Sequence, residues 1–123
     1  MNIKDISILV NEGNDFYLMI GDFLDEFLKK SITEKTELLE EKPTKMEREE
    51  YLPFLAAMAH KLSNDNAINT PMWVFDEDCY LAGNNPFFTN NVKGNLRLLF
   101  MYKSPAEFKH RNLFVDENVL ERV

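Results

Sequence analysis

The sequence predicts an all-α protein, a compact bundle of five or six helices with an irregular aromatic-rich segment at about residues 64–91. Three observations carry that expectation. Apolar residues recur at steps of three and four, above all Phe16, Ile20, Phe23, Leu24, Phe27 and Leu28. Helix-start signatures, a Ser or Thr followed three residues later by Glu, stand at Ser31-Ile32-Thr33-Glu34, Thr44-Lys45-Met46-Glu47 and Ser104-Pro105-Ala106-Glu107. Four glycines in 123 residues are fewer than the turns of an all-β sandwich normally need.

The elements follow in order. Ile3, Ile6, Leu9 and Val10 have helical spacing, and Asn11-Glu12-Gly13-Asn14 breaks it. Asn14 is placed to cap the next helix, with Asp15 near its positive end. The strongest period in the chain follows, with Asp22, Asp25, Glu26, Lys29 and Lys30 largely off its apolar face, and Gly21 suggests a close neighbour. A short helix from Ser31 to about Glu41 is stopped by Pro43. Tyr51, Leu55, Met58, Ala59 and Leu62 form the next face, with a start or sharp kink near Pro53 and an end at Asn64-Asp65-Asn66. Residues 64–91 combine Pro71, Gly83, Pro86 and seven Asn with Trp73, Phe75, Tyr80, Phe87 and Phe88. Turn formers with large rings describe an ordered irregular segment, with short extended pieces around Trp73–Phe75. Trp73 is expected as a buried anchor whose indole N–H meets a carbonyl or polar side chain. A helix from Val92 to Tyr102 should turn Leu96, Leu99 and Phe100 inward. Ser104 then caps a short helix carrying Phe108, His110 and Arg111, with Pro105 in first position. A last turn starts at Asp116, with Val119 and Leu120 apolar. The expected shared core is Phe23, Phe27, Leu55, Met58, Leu62, Leu96 and Leu99.

Size and composition fit one helical domain over residues 1–123. With 45% hydrophobic residues and ten Phe, disorder over most of the length is not expected. A single cysteine, Cys79, excludes an intramolecular disulfide. No apolar run approaches the roughly 18–20 residues that span a bilayer, and the first residues lack the pattern of a signal peptide. A cytoplasmic protein without membrane contact is expected.

The net charge is −7, unevenly spread. Residues 1–50 hold thirteen acids against seven bases, residues 51–92 four against one, and residues 93–123 four against six. The last stretch alone is positive, by two charges. That is too little for the roughly six to ten phosphate contacts of a duplex reader, so no tight unassisted binding to duplex DNA is expected.

Catalytic signatures are weak. Cys79 with His60 or His110 as base would make a thiol nucleophile, but Asp76, Glu77, Asp78 and Tyr80 surround it, and a spectator cysteine is the better reading. The acidic triplet lacks the oxygen-ligand spacing of a calcium loop. His60 and His110 have no second His or Cys at metal spacing, and His60 reads as a hydrogen-bonded, partly buried side chain. There is no phosphate loop, dinucleotide fingerprint or zincin motif. No catalytic residue, cofactor or metal is assigned. Trp73, Tyr80, Arg97, Lys109, His110 and Arg111 remain as candidate contacts to a partner or ligand. Arg111 has two readings. One is a structural fork clamping carbonyls near the chain end, and the other is a contact to an anion or a partner carboxylate.

Three blocks stand together: Ile68-Asn69-Thr70-Pro71-Met72-Trp73-Val74, Asp76 through Tyr80-Leu81 to Pro86-Phe87-Phe88, and Asn95-Leu96-Arg97 running into Ser104 through Val115. Over about residues 50–123 they resemble a bacterial domain of small antitoxin-type or regulator-type proteins. That domain ends roughly in Leu-Arg, six residues, Ser-Pro, two residues, Phe-Arg, one residue, Arg-Asn-Leu-Phe-Val. Lys109 stands here in place of the first of the two later arginines. The resemblance implies an interaction or regulatory role rather than catalysis. The leading expectation is therefore a non-enzymatic interaction module, the partner-binding half of a toxin–antitoxin or regulatory pair, with a protein partner or self-association. The alternative is an enzyme or small-ligand binder using the aromatic segment 72–88 and the basic end 109–111.

Overall fold

A computed structural model describes residues 1–89 and 95–121, with the side chains of residues 95 and 96 outside that description. The fold is mostly helical, as the periodicity predicts. Helices run over α1 Ile3–Asn11, α2 Phe16–Phe27, α3 Ile32–Glu40, α4 Tyr51–Asp65, α5 Asn95–Lys103 and α6 Ala106–Lys109. Two 3-10 turns, Met72–Phe75 and Glu77–Cys79, replace the extended pieces expected around Trp73. A minimal parallel pair joins β1 Phe87–Phe88 to β2 Leu113–Phe114, in register Phe87 with Leu113 and Phe88 with Phe114.

The helix α4 is the axis. Ten of its fifteen residues are buried, including the run Leu52–Ala59. A helix apolar all round must be covered on all sides, so the single face read from Tyr51, Leu55 and Met58 was too narrow. Phe54, Ala56 and Ala57 are buried as well. The face of α2 with Phe16, Ile20, Phe23, Leu24 and Phe27 joins α4, Trp73, Val74, Phe108 and Val115 in one core. Aromatic contacts stitch it: Phe16 stacks on Tyr51 with ring centroids 3.8 Å apart, and Phe54 meets Phe108 edge-on at 5.1 Å. Of the seven expected core residues, Phe23, Phe27, Leu55, Met58 and Leu62 are buried. Leu99 is 45% exposed, a correction taken up below, and the side chain of Leu96 and residues 92–94 lie outside the described residues.

The caps show which local signals hold. Ser31 and Glu34 form the expected reciprocal box at the start of α3. Asn2 and Asp5 form an equivalent box on α1. At α2 the capping residue is Asp15, not Asn14: the Asp15 carboxylate accepts from the Leu18 amide at 2.9 Å, while the Asn14 amide donates back to the Leu9 carbonyl. The Thr44 box does not form. The Thr44 amide instead donates to the buried Ser7 hydroxyl at 2.9 Å, tying the 41–50 connection to α1. α4 begins at Tyr51, and Pro53 sits in its first turn, where its missing N–H removes no helical bond. Ser104 is likewise not a cap, since Pro105 precedes the four-residue α6. The Ser104 hydroxyl accepts from the Val115 amide at 2.9 Å and lies against the Phe100 carbonyl, closing α5 onto the last strand.

α4 ends in a two-bond reversal. The Ile68 amide donates to the Ser63 carbonyl at 3.0 Å, the Ala67 amide points to Asn64, and Ala67 sits at φ 55°. This is the Schellman arrangement, whose left-handed position favours glycine. Ala there carries a steric cost, roughly 1–2 kcal/mol, that Gly does not. Ala67→Gly is expected to stabilise the protein by about 0.5–1 kcal/mol after the added chain entropy of Gly is counted. Thermal unfolding followed by circular dichroism checks it. A lower midpoint for the variant contradicts the assignment.

Candidate functional site

The residues singled out in the sequence converge around one side chain, Arg111, which is 1% exposed. It lies in the turn after α6, where a buried cation is costly unless its donors find acceptors. One terminal nitrogen, Nη2, donates to the Val74 carbonyl at 2.8 Å, and the other, Nη1, donates to the Glu107 carbonyl at 2.9 Å. Nη1 also stands 3.2 Å from Nδ1 of His60. Arginine cannot accept, so Nδ1 of His60 is the acceptor, and a neutral ring carries its proton on Nε2. The Tyr80 ring covers the guanidinium at 4.7 Å. Among the described residues Nε is a buried donor without a partner, and Arg111 makes no ion pair. Burial lowers the Arg111 pKa, partly countered by Tyr80, Cys79 and Glu107.

The clamp therefore holds carbonyls as the structural reading expected, with one difference. Its long-range partner is Val74, in the first 3-10 turn, rather than a group at the chain end. The backbone continues the tie. The Arg111 carbonyl accepts from Leu81 at 3.3 Å, the Asn112 carbonyl accepts from Phe87 at 3.1 Å, and the Asn112 side chain donates to Ala82. Asn112 takes φ 63°, a left-handed conformation that Asn tolerates.

Trp73 is the second anchor, 8% exposed, its indole N–H donating to the Leu39 carbonyl at 3.0 Å. Leu39 is in the last turn of α3, where carbonyls lack helical partners, so the ring both packs and caps. Cys79 is buried, and its thiol donates to the Trp73 carbonyl at 3.4 Å. Burial, with Asp78 beside it, pushes its pKa up to about 11. That is the opposite of what a thiolate nucleophile requires. Asp76 and Asp78 both hold the Lys42 ammonium, at 3.0 and 2.9 Å. Among the described residues no group of three or more His, Cys, Asp and Glu is placed to hold a metal ion.

Four of the six candidate contacts reach the surface. Tyr80 is 37% exposed, and His110 is exposed. Lys109 is half-buried and donates to the Tyr102 carbonyl at 2.9 Å. Arg97 is exposed and lies over the Phe88 ring at 4.3 Å. Trp73 and Arg111 lie inside the fold. An apolar cleft of about 360 Å³ between α2 and the chain end is lined by Tyr17, Ile20, Leu24, Phe54, Phe87 and Val119, and none of the six candidates is among its lining residues.

The surface that sequence reasoning missed is α5. Leu98 is 65% exposed, Tyr102 81%, Leu99 45% and Met101 44%, while Phe100 is half-buried. Leu98, Met101 and Tyr102 are spaced i, i+3, i+4 and share one face. That face points to solvent. The run Leu98-Leu99-Phe100-Met101-Tyr102 is apolar at five consecutive positions, so no period supported turning Leu99 and Phe100 inward, and only Phe100 of the two is half-buried. The same lack of amphipathicity was the available signal of an outward apolar face.

No protein-family model matches this chain, and neither does any curated protein or solved structure.

Two predictions follow from the clamp. Arg111→Gln removes the charge, shortens the side chain and strands the Val74 carbonyl, and is expected to cost roughly 2–5 kcal/mol in urea unfolding. Unchanged stability would return Arg111 to the contact reading. The second concerns pH. Burial and the Arg111 cation lower the His60 pKa, with Glu107 opposing and His110 adding to the shift. The unfolded chain thus binds a proton more readily than the folded one. The stability from neutral His60 is present above its unfolded pKa, about 6.5, and is lost as pH falls through the lower folded value. Between pH 7.5 and 5 the wild type should lose more stability than His60→Gln. Equal losses would remove His60 from the clamp.

Proposed function

We propose that the chain is a non-enzymatic interaction protein, the partner-binding member of a toxin–antitoxin or regulatory pair. The observation that carries this reading is the outward apolar face of α5. Leu98 and Tyr102, 65% and 81% exposed, are large side chains on a regular helix beside a well-filled core. Contiguous apolar surface of this kind on a stable fold marks a docking surface more often than chance exposure. The side chains able to do chemistry support it too. The Cys79 thiol is buried with a raised pKa, His60 accepts from Arg111, and Arg111 clamps carbonyls.

Duplex DNA is a poor partner on charge, since the chain is −7 overall. No described helix is long and apolar enough to cross a membrane.

Affinity capture with the tagged full chain from its native cells, then reconstitution from purified components, tests the reading. A stoichiometric protein complex that persists near 150 mM salt is expected, with duplex DNA bound no tighter than the micromolar range. A chain that finds no stoichiometric partner, or that turns over a small substrate when pure, would contradict it.

A further inference from the structure

The cleft of about 360 Å³ between α2 and the chain end falls within the roughly 300–1,000 Å³ that holds small organic molecules. Its floor belongs to the core. Ile20, Leu24 and Phe54 are buried, and Phe54 meets the rings of Tyr17 at 5.9 Å and Phe108 at 5.1 Å edge-on. Its walls are tied down as well. The Phe87 amide is bound to the Asn112 carbonyl, and the Val119 amide closes a turn on the Asp116 carbonyl at 3.1 Å. A hollow with such walls is preformed, so little of the protein has to be ordered when it fills.

The lining says which molecules suit it. Asp116 is the one carboxylate there, and no lining residue is a Lys or Arg. Among the described residues Asp116 is in no ion pair. One of its carboxylate oxygens accepts from the Asn118 amide at 2.8 Å. Lys103 shares a smaller neighbouring cleft with Asp116, but its ion pair is with Glu117 at 3.9 Å. Arg48, the cation that acts on Tyr17, is held by Glu50 at 2.8 Å. Burial, with Tyr51 and Glu50 adding to it, pushes the Tyr17 phenol up to about 12, so it stays a neutral hydroxyl able to accept from a cation. Tyr17, Phe54 and Phe87 also bring three aromatic rings to the same space, and ring faces attract ammonium groups. An anion would meet a carboxylate and no lining cation, on a chain of −7. A sugar would set its hydroxyls against Ile20, Leu24 and Val119 without partners.

We infer that this cleft is a binding site for a small apolar amine, its hydrocarbon seated on Ile20, Leu24 and Phe54 and its ammonium paired with Asp116. The inference goes beyond the interaction reading and does not rest on it, since it assigns a small-molecule site on a different part of the surface from the α5 face.

The test uses the full chain at pH 7 and three probes of one size: 2-phenylethylamine, 2-phenylethanol and 3-phenylpropionate. Titrations followed by amide chemical shifts should show saturable one-to-one binding of the amine with Kd below about 1 mM. The alcohol should bind roughly 3-fold more weakly or worse, and the carboxylate at least about 10-fold more weakly. The shifts should centre on Ile20, Leu24, Phe87 and Val119. Asp116→Asn keeps an oxygen for the Asn118 amide, and should weaken the amine by about 3–5-fold while leaving the alcohol unchanged. Val119→Trp should block all three probes by filling the cleft, with circular dichroism checking that the fold is kept. The wild-type titrations and Asp116→Asn decide the matter even if Val119→Trp does not fold. No binding of the amine below about 1 mM, a carboxylate that binds as well as the amine, shifts centred away from the cleft, or an amine affinity indifferent to Asp116→Asn would overturn the inference. Each of those outcomes leaves the search for a protein partner unaffected.

Discussion

A buried guanidinium is the constraint on which the C-terminal half of this fold depends. Arg111 lies under 2% exposed, and its attractions are to the Val74 and Glu107 carbonyls, a neutral imidazole and the face of a phenol. Such a site tolerates a cation only while those donors stay aimed, because the desolvation cost is repaid by geometry alone. It needs the planar fork of arginine, since a lysine ammonium could not reach two carbonyls from one fixed plane. The side chain reaches inward to the first 3-10 turn and α4, while the backbone of the same residue receives Leu81 on its other side. One position thereby fixes α4, the irregular segment and the last strand relative to each other.

That fixation explains why a nearly structureless stretch can be ordered. The segment after α4 has few regular hydrogen bonds of its own. It is pinned at Trp73 by the end of α3, at Val74 by Arg111, at Cys79 by the Trp73 carbonyl, and at Phe87 by Asn112. Each pin buries a large or polar group that would otherwise remain unsatisfied. α5 lies between the two strands in sequence, so β2 returns beside β1 and only Phe100, among its side chains from Arg97 to Lys103, is half-buried while the rest are exposed. The helix can then carry an apolar face outward without loosening the core.

Much of this was legible in the sequence, and most of the failures share a cause. The periodicity of α2, the Ser31 box, the end of α4 at Asn66 and the anchoring role of Trp73 all follow from signals within a few residues, or from the demand that a buried indole find an acceptor. The boxes at Thr44 and Ser104 have the same local pattern and do not form. Ser7, 37 positions from Thr44, and Val115, 11 positions from Ser104, take those groups instead. Local spacing cannot register a partner brought in by tertiary packing. Arg111 illustrates the same limit: its fork was readable as a carbonyl clamp, but Val74 as its target was not. α5 failed differently, because five consecutive apolar residues, Leu98 to Tyr102, offer no period from which to choose an inner face.

Native-state hydrogen exchange of the Leu81 and Phe87 amides tests the central claim most directly. Both donate to the strap formed by the Arg111 and Asn112 carbonyls, in a segment whose loop character would otherwise give fast exchange. If the clamp organises this half of the fold, both amides exchange with free energies close to those of the buried turns of α4, and Arg111→Gln brings them down selectively while α4 stays protected. Exchange at loop rates in the wild type, or equal protection in the variant, would contradict the account.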